Sequence, residues 1–366
     1  MVRRYGGVTE PFIEQRISAP DQEAELWYER SQRPITIASR QIVVPALVPG
    51  GIGDRLFHRL PSLARLARGR YASAERAARP DVIHAHYLTT GHLVALATRS
   101  PLVVSTYGFD VTLMPRRRLW RRAFHRLSGR VRAVLVEGPF MRATVEELGI
   151  PADRIEVVPI AANLDGIAYR PPRSRDGGLR VLMSGRMVEK KGHDLAIRAF
   201  AAAAGDLPPG STLDIVGDGP FLGDLRKLCA RLGAARQIRF LGAMPRADYL
   251  AVLAASDLVL APSRTATNGD GEGGAPTTIL DAQATGVVVL GSTHADIPFL
   301  IQEGVTGYLC GENDVGGLTA AMLRAVSDAS RWTQLSERAR RQVEERHSDE
   351  FVGGRLADIH ALAAGS

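Results

Sequence analysis

Two short stretches hold the residues whose types and spacing could do chemistry. The first, LMSGRMVEKKGHDLAIRAF at 182–200, sets Arg186 and Lys191 in a turn between an apolar run and an amphipathic one. Arginine offers a planar fork of donors and lysine a point charge on a flexible stem. Together they suit a diphosphate. Only three of the 46 basic residues are lysines (Lys190, Lys191 and Lys227), and two of them fall in this turn. A solvated basic turn is the plain alternative.

The second stretch is LVLAPSRTATNGDGEGGAPTTILDAQATG at 258–286. A strand is expected to end at Pro262-Ser263, followed by a glycine-rich loop and a helix opening at Ala275-Pro276-Thr277-Thr278. Pro276 suits the first helical position. The free N–H groups of such a helix end make an anion site, and Gly273 and Gly274 allow a close backbone approach. Glu272 stands just before this site and Asp281 lies within the helix. Carboxylates repel phosphate, so they need another task, and accepting hydrogen bonds from sugar hydroxyls is one. Paired carboxylates also serve glycoside hydrolases, but the cations and the helix end would have no part in that chemistry. Asn268, Asp270 and Glu272 as metal ligands is a minority reading, because their loop lacks the bidentate-Glu spacing of an EF-hand.

The elements that must position these groups are legible as alternation. Mostly continuous apolar runs mark parallel strands covered on both faces: PITIAS, DVIHAH, PLVVST, AVLVEG and IEVVPI in the first half, then LRVLMSG, TLDIVG, IRFLG, LVLAPS and VVVLGS. Helical patterns such as DLAIRAFAAAA and FLGDLRKLCARLG lie between them. This order implies doubly wound α/β sheets. The Pro/Arg/Gly-rich stretch at 168–178 is the linker candidate. It gives an amino-terminal domain at 1–167, a carboxy-terminal domain at 179–348 and a last helix at 349–366 that could pack back on the first domain. The chain opens MVRRYGG, with two arginines in the five residues before Gly6. That reads poorly as a buried strand, so the first strand of the first domain is expected to be missing, or its sheet to be completed differently.

A chain of 366 residues with 45% hydrophobic and 23% charged residues is an ordinary globular composition. The net charge of +7 suits an anionic partner, a diphosphate or a membrane surface, without separating the two. Two cysteines make neither a disulfide framework nor a metal pattern. With no apolar leader at the start and no run of about eighteen apolar residues, a cytoplasmic location is expected, with at most peripheral contact at the inner membrane face. The segment 115–132, PRRRLWRRAFHRLSGRVR, has eight arginines and no acid. Trp120, Ala123, Phe124 and Leu127 share one helical face, which could lie on an anionic membrane or pack into the domain core; the core reading is favoured. No nucleic-acid recognition motif is present. His84 and His86 alternate along a strand and are expected on opposite faces, one of them in the core, which makes them a poor metal pair.

GRMVEKKG together with EGGAPTTILDAQATG resembles the retaining family-4 glycosyltransferases of the GT-B fold. IVGDGP at 215–220, FLGAMP at 240–245, SDLVLAPS at 256–263 and EGVTGYL at 303–309 agree in order. DVIHAH at 81–86, STYGFD at 105–110 and VVPIAANLD at 157–165 resemble the family's first half, and TEPFIEQ resembles its exopolysaccharide and colanic-acid branch.

The resemblance implies two Rossmann-like domains facing across a cleft, and transfer of a sugar from a UDP- or GDP-linked donor to a saccharide or lipid-linked acceptor with retention. It implies no cofactor and no metal. Arg186 and Lys191 would grip the diphosphate, and Glu272 the donor sugar. Asp281 would hold the ribose, and Thr277 and Thr278 would touch phosphate. Gly7, Gly185, Gly217, Met244, Gly274 and Ala275 would line the donor. His86, Tyr107 and Asp110 would face the acceptor.

Departures from the family pattern stand beside these matches. The acids are nine positions apart instead of eight, and the second is Asp281 in place of Glu. Tyr107 replaces a usual histidine and cannot carry a proton charge near neutral pH. A nucleotide-sugar 2-epimerase of the same fold and a catalytically silent nucleotide-sugar binder remain open as other readings.

Overall fold

In a computed structural model of the chain, the described residues are 2–5, 25–31, 40–43, 61, 68–172 and 177–365. The chain divides into two compact units, one of Met1–Ala161 with Asp349–Ser366, the other of Ala162–Ser348. PITIAS, TEPFIEQ and Gly6-Gly7, and with them the donor role of Gly7, lie outside the described residues.

In the first unit, β1 (Val2–Tyr5), β2 (Glu25–Ser31) and β3 (Arg40–Val43) form a parallel sheet in that order. The missing first strand is therefore corrected: Val2 pairs with Tyr28, and Tyr5 with Ser31. The ladder is made by main-chain groups, and in this sheet β1 has one neighbour. Such a strand does not need the unbroken apolar run that burial on both faces demands.

A second parallel sheet follows, in the order β4 (Ile83–His86), β5 (Leu102–Ser105), β6 (Val131–Val136), β7 (Ile155–Val157). Its central strands are buried on both sides. Leu102 and Val104 pack into one core with Trp120, Phe124 and Leu127. Val103 and Leu135 face the other way, against Val352, Leu356, Ile359 and Ala363 of the helix Asp349–Ala364.

The arginine-rich segment forms the helix Arg118–Leu127, and its whole apolar stripe is buried. The favoured core reading of that stripe holds: Trp120 and Phe124 are enclosed within the unit, and the arginines stand outside.

His84 and His86 need a correction of face. Residues two apart on a strand share a side of the sheet, and the two rings stack with centroids 4.7 Å apart.

The second unit is one parallel sheet in the order β10 (Ile238–Gly242), β9 (Thr212–Val216), β8 (Arg180–Ser184), β11 (Leu258–Ala261), β12 (Val288–Ser292), β13 (Tyr308–Cys310). Counted within the unit this is the doubly wound order 3-2-1-4-5-6. Along β8, Val181 and Met183 enter one core while Leu182 enters the other. That two-sided burial is why the strand reads as a continuous apolar run.

The boundary expected at 168–178 is also corrected, since the chain leaves the first unit at Ala161. Ala162 N–H donates to the His347 carbonyl at 2.6 Å, Ile167 is buried, and the Tyr169 and Ser336 hydroxyls lie 2.9 Å apart. Composition marks an irregular stretch, but its first residues are tied down in the second unit.

Candidate active site

In a doubly wound sheet the winding direction reverses between the two central strands, here β8 and β11, and the loops leaving their carboxyl ends diverge to open a crevice. Arg186 and Lys191 follow β8 directly, and Ser263 to Glu272 follow β11. Topology therefore brings together two motifs eighty residues apart. Lys191 Nζ lies 3.0 Å from the Glu272 carboxylate.

Two close backbone approaches shape this edge. Gly217 has φ +131°, and a Cβ there would fall 2.0 Å from the Gly185 carbonyl oxygen. Gly192 has φ +71°, and a Cβ there would fall 2.1 Å from the Pro262 carbonyl oxygen. Any side chain at either position would drive the loops after β8, β9 and β11 apart.

Glu272 is the centre of the network. Its carboxylate accepts from Lys191 and from Ser263 Oγ at 2.9 Å. Burial alone would raise its pKa, but attraction to Lys191 and then Lys190, with these hydrogen bonds, holds the carboxyl below the usual range. Its own N–H donates to His294 Nε2 at 3.1 Å. An accepting Nε2 leaves the proton on Nδ1, which lies 3.1 Å from Glu312. Lys190 is buried, and its Nζ donates to the Gly271 carbonyl at 2.9 Å and to Asp270 at 3.2 Å, so it pins the loop carrying Glu272. Asp270 is thereby engaged as a lysine partner. Among the described residues, no group of three or more His, Cys, Asp or Glu side chains is arranged to hold a metal ion.

The helix after the glycines runs Thr277–Thr285. Pro276 is its N-cap with extended backbone, not its first helical residue, a one-position correction. Thr277 and Thr278 open the helix with no side-chain cap, so their N–H groups face outward at its positive end. Gly274 and Ala275 lie between Glu272 and this helix, and Ala275 and Met244 pack on the same apolar cluster.

Asp281 is buried on the helix, and Arg246 donates to both its oxygens at 2.9 and 3.3 Å. Tyr249 stands beside it. Burial, with the Asp281 carboxylate near, pushes that phenol well above its ordinary pKa. Arg186 is exposed and makes no ion pair among the described residues.

Sequence reasoning singled out Lys191, Glu272 and Asp281 but missed Ser263, His294, Lys190 and Arg246. Ser263 ends the strand motif LVLAPS and could have been found there. Arg246 and His294 are long-range partners that no local pattern announces.

His86, Tyr107 and Asp110, expected from the resemblance to face the acceptor, group in the first unit. His86 Nδ1 lies 2.6 Å from the Tyr107 hydroxyl. Asp110 is fully buried and accepts from Leu88 N–H at 2.8 Å and from Tyr107 and Gly108 N–H at 3.2 Å each. Burial outweighs those hydrogen bonds and raises its pKa to about 6. His84 bridges Ser105 Oγ at 2.8 Å and His360 at 3.0 Å.

Comparison with known proteins follows this division. Residues 169–342 match the family model described as glycosyl transferases group 1, and residues 10–161 match that of a glycosyl transferase 4-like domain. The putative colanic acid biosynthesis glycosyltransferase WcaL of Escherichia coli K12 is 26% identical over 288 residues, 77% of this chain and 70% of the relative. The GDP-mannose-dependent alpha-(1-6)-phosphatidylinositol monomannoside mannosyltransferase of Mycolicibacterium smegmatis is 28% identical over 279 residues, 74% of this chain and 72% of the relative. Among solved structures, Anabaena Alr3699/HepE in complex with UDP superposes with a TM-score of 0.76 at 19% identity, covering 99% of each chain. The sucrose-phosphate synthase of Thermosynechococcus elongatus gives 0.78 at 18% identity, covering 100% of this chain and 99% of that one. The structural likeness is one of fold, the GT-B pair of parallel-sheet α/β domains.

Proposed function

We propose that this chain, whose residues 169–342 match the model of glycosyl transferases group 1 and whose residues 10–161 match that of a glycosyl transferase 4-like domain, moves a sugar from a nucleotide-diphosphate donor to a saccharide or lipid-linked acceptor with retention of configuration, in the assembly of a polysaccharide or glycolipid. The observation that carries the reading is the Lys191–Glu272 pair beside Arg186 at the switch point of the second unit. Relatives support the donor class. One is named as GDP-mannose-dependent, and one structural neighbour is a complex with UDP. The base is left between those two.

In this reading the bond from the anomeric carbon to phosphate breaks, and a bond from the acceptor oxygen to that carbon forms on the same face. The acceptor proton passes to the leaving phosphate oxygen. Negative charge grows on the diphosphate, and Arg186, Lys191 and the N–H groups of Thr277 and Thr278 stabilise it more in the transition state than in the ground state. These groups supply the countercharge, so the reaction is proposed to run without a metal. Glu272, held ionised by Lys191, accepts from donor sugar hydroxyls. Asp281, oriented by Arg246, accepts from ribose hydroxyls, with Gly185, Gly217, Met244, Gly274 and Ala275 around the nucleotide. His86, Tyr107 and Asp110 are assigned to the acceptor side. The buried free thiols Cys229 and Cys310 suit a reducing, cytoplasmic setting. No helix among the described residues is long and apolar enough to cross a membrane.

A panel of UDP- and GDP-linked sugars, screened by thermal shift and then with saccharide and lipid-linked acceptors, tests the reading. It requires nucleoside diphosphate release that depends on acceptor, insensitivity to EDTA, and a product whose anomeric proton coupling matches the donor. Release without acceptor, or an inverted product, would refute it.

A further inference from the structure

Behind the turn that carries Arg186 and Lys191, a cavity of about 240 Å³ opens between the helices His193–Ala203 and Leu222–Arg231. Met187, Val188, Leu225 and Leu228 make its apolar lining, and Phe221, a residue 41% exposed, stands at its wall. The volume is below the roughly 300–1,000 Å³ of drug-sized ligand sites, so the fitting guest is a small metabolite.

Two polar side chains of this lining have unmet hydrogen-bonding capacity. His193 is 98% buried, and neither ring nitrogen has a partner among the described residues. Arg264 gives its terminal nitrogens to Asp194 and Asn313, each at 3.0 Å, but its buried Nε–H has no partner. Buried polar atoms left unpaired are destabilising, so three at one cavity point to a guest that satisfies them. A neutral imidazole offers one donor and one acceptor, and burial with Lys191 nearby keeps His193 neutral. The wanted guest therefore brings acceptors for Arg264 Nε–H and one ring N–H, and a donor for the other ring nitrogen.

The rim decides its charge. Asp194 is paired with Arg264 and Asp224 with Lys227, while Glu189 accepts from Thr267 and keeps its charge, one acid against the two arginines that follow. Arg198 and Arg231 are exposed and carry no ion pair among the described residues. The balance favours an anion. We propose that this cavity is a second binding site, for a small hydroxycarboxylate with an apolar body. The carboxylate is held by Arg264 Nε–H and a His193 N–H under the field of Arg198 and Arg231. The hydroxyl donates to the other His193 nitrogen, and the body lies on Met187, Leu225 and Phe221.

Titration of the full chain with 3-phenyllactate tests this, followed by calorimetry and by the side-chain ¹⁵N signals of His193. The readout is binding, so it stands or falls independently of the transferase reading. Expected are saturable one-to-one binding, a moved His193 signal, and affinity about tenfold weaker for 3-phenylpropionate, which lacks the hydroxyl. His193→Leu should weaken binding at least as much. The double variant Arg198→Ala/Arg231→Ala alters only exposed side chains, and should also bind several-fold more weakly if His193→Leu fails to fold. No saturable binding, equal affinity for the two acids, or undiminished binding by the double variant would each overturn the proposal and leave the cavity to water.

Discussion

Lys191 Nζ and the Glu272 carboxylate, brought together from eighty-one positions apart, meet at 3.0 Å. The pair is nearly enclosed, and Glu272 is further held by Ser263 and by His294. A cation assigned to the diphosphate and an acid assigned to the sugar are thus one electrostatic unit. Removing either changes the other.

Arg186→Ala and Lys191→Ala should each lower kcat/KM by about 10²–10³, the usual loss for one donor to a developing oxyanion. Their effects on stability should part. Arg186 is exposed and makes no ion pair among the described residues, so its loss should shift unfolding by less than about 0.5 kcal/mol. Lys191→Ala leaves Glu272 buried without its nearest cation, which should raise the Glu272 pKa and cost measurable stability at neutral pH. Chemical denaturation and initial rates on the two variants check both halves. Unchanged rates in both would remove the phosphate assignment.

Glu272→Gln should separate binding from transfer. The amide keeps the shape and can still accept from Ser263, but it loses the charge that Lys191 faces. Transfer should fall at least tenfold while affinity for the nucleoside diphosphate does not fall, because Glu272 is not among its ligands in the proposed reading and its neutralisation leaves the Lys191 charge free for phosphate. Isothermal titration beside turnover measures this. Equal turnover to the parent would count against a sugar-binding Glu272.

Asp110 gives a pH dependence of known sign. Its folded pKa is about 6, above an ordinary 3.8, because burial disfavours the ionised form. A raised folded pKa means the native state holds the proton more tightly. The stability this contributes is fully present below about pH 4 and is lost as pH rises through 6. The parent should therefore lose stability relative to Asp110→Asn between pH 4 and pH 6. Above that the difference should be flat. Urea titrations of both proteins across this range test it, and a constant difference would mean that folding leaves the Asp110 pKa where it is in the unfolded chain.

The sheets were legible because parallel strands buried on two faces must be apolar at every position. β8, β11 and β12 are nearly uninterrupted, and their sequences say so. The strand β1, with arginines at 3 and 4, gave no such signal because main-chain pairing alone makes its ladder. In the site, the residues that follow strand ends were legible, since topology sends those loops to one edge. Their partners were not. Arg246 lies 35 positions from Asp281, and His294 lies 22 from Glu272. Only the packed fold tells which arginine or histidine meets which acid. The nine-residue spacing of the two acids, by contrast, leaves both at the carboxyl edge, because the glycines before Pro276 lie outside the helix.

Trp120 tests what the arginine-rich helix does. Its indole is fully buried, contacts Phe124 with ring centroids 5.4 Å apart and packs edge-on to His92 at 5.8 Å. If the stripe anchored the protein to lipid, Trp120→Ala would release it from vesicles and leave the fold intact. A core role predicts the reverse. Deleting a buried tryptophan costs about 3–5 kcal/mol, enough to unfold much of the first unit near body temperature, with loss of its helical circular dichroism. Sedimentation with phosphatidylglycerol vesicles separates the residual charge effect. Arg118→Glu/Arg121→Glu changes only the exposed face, so it should leave the melting transition in place while abolishing any salt-sensitive vesicle association. A Trp120→Ala protein that melts like the parent would show that this side chain adds nothing to the core.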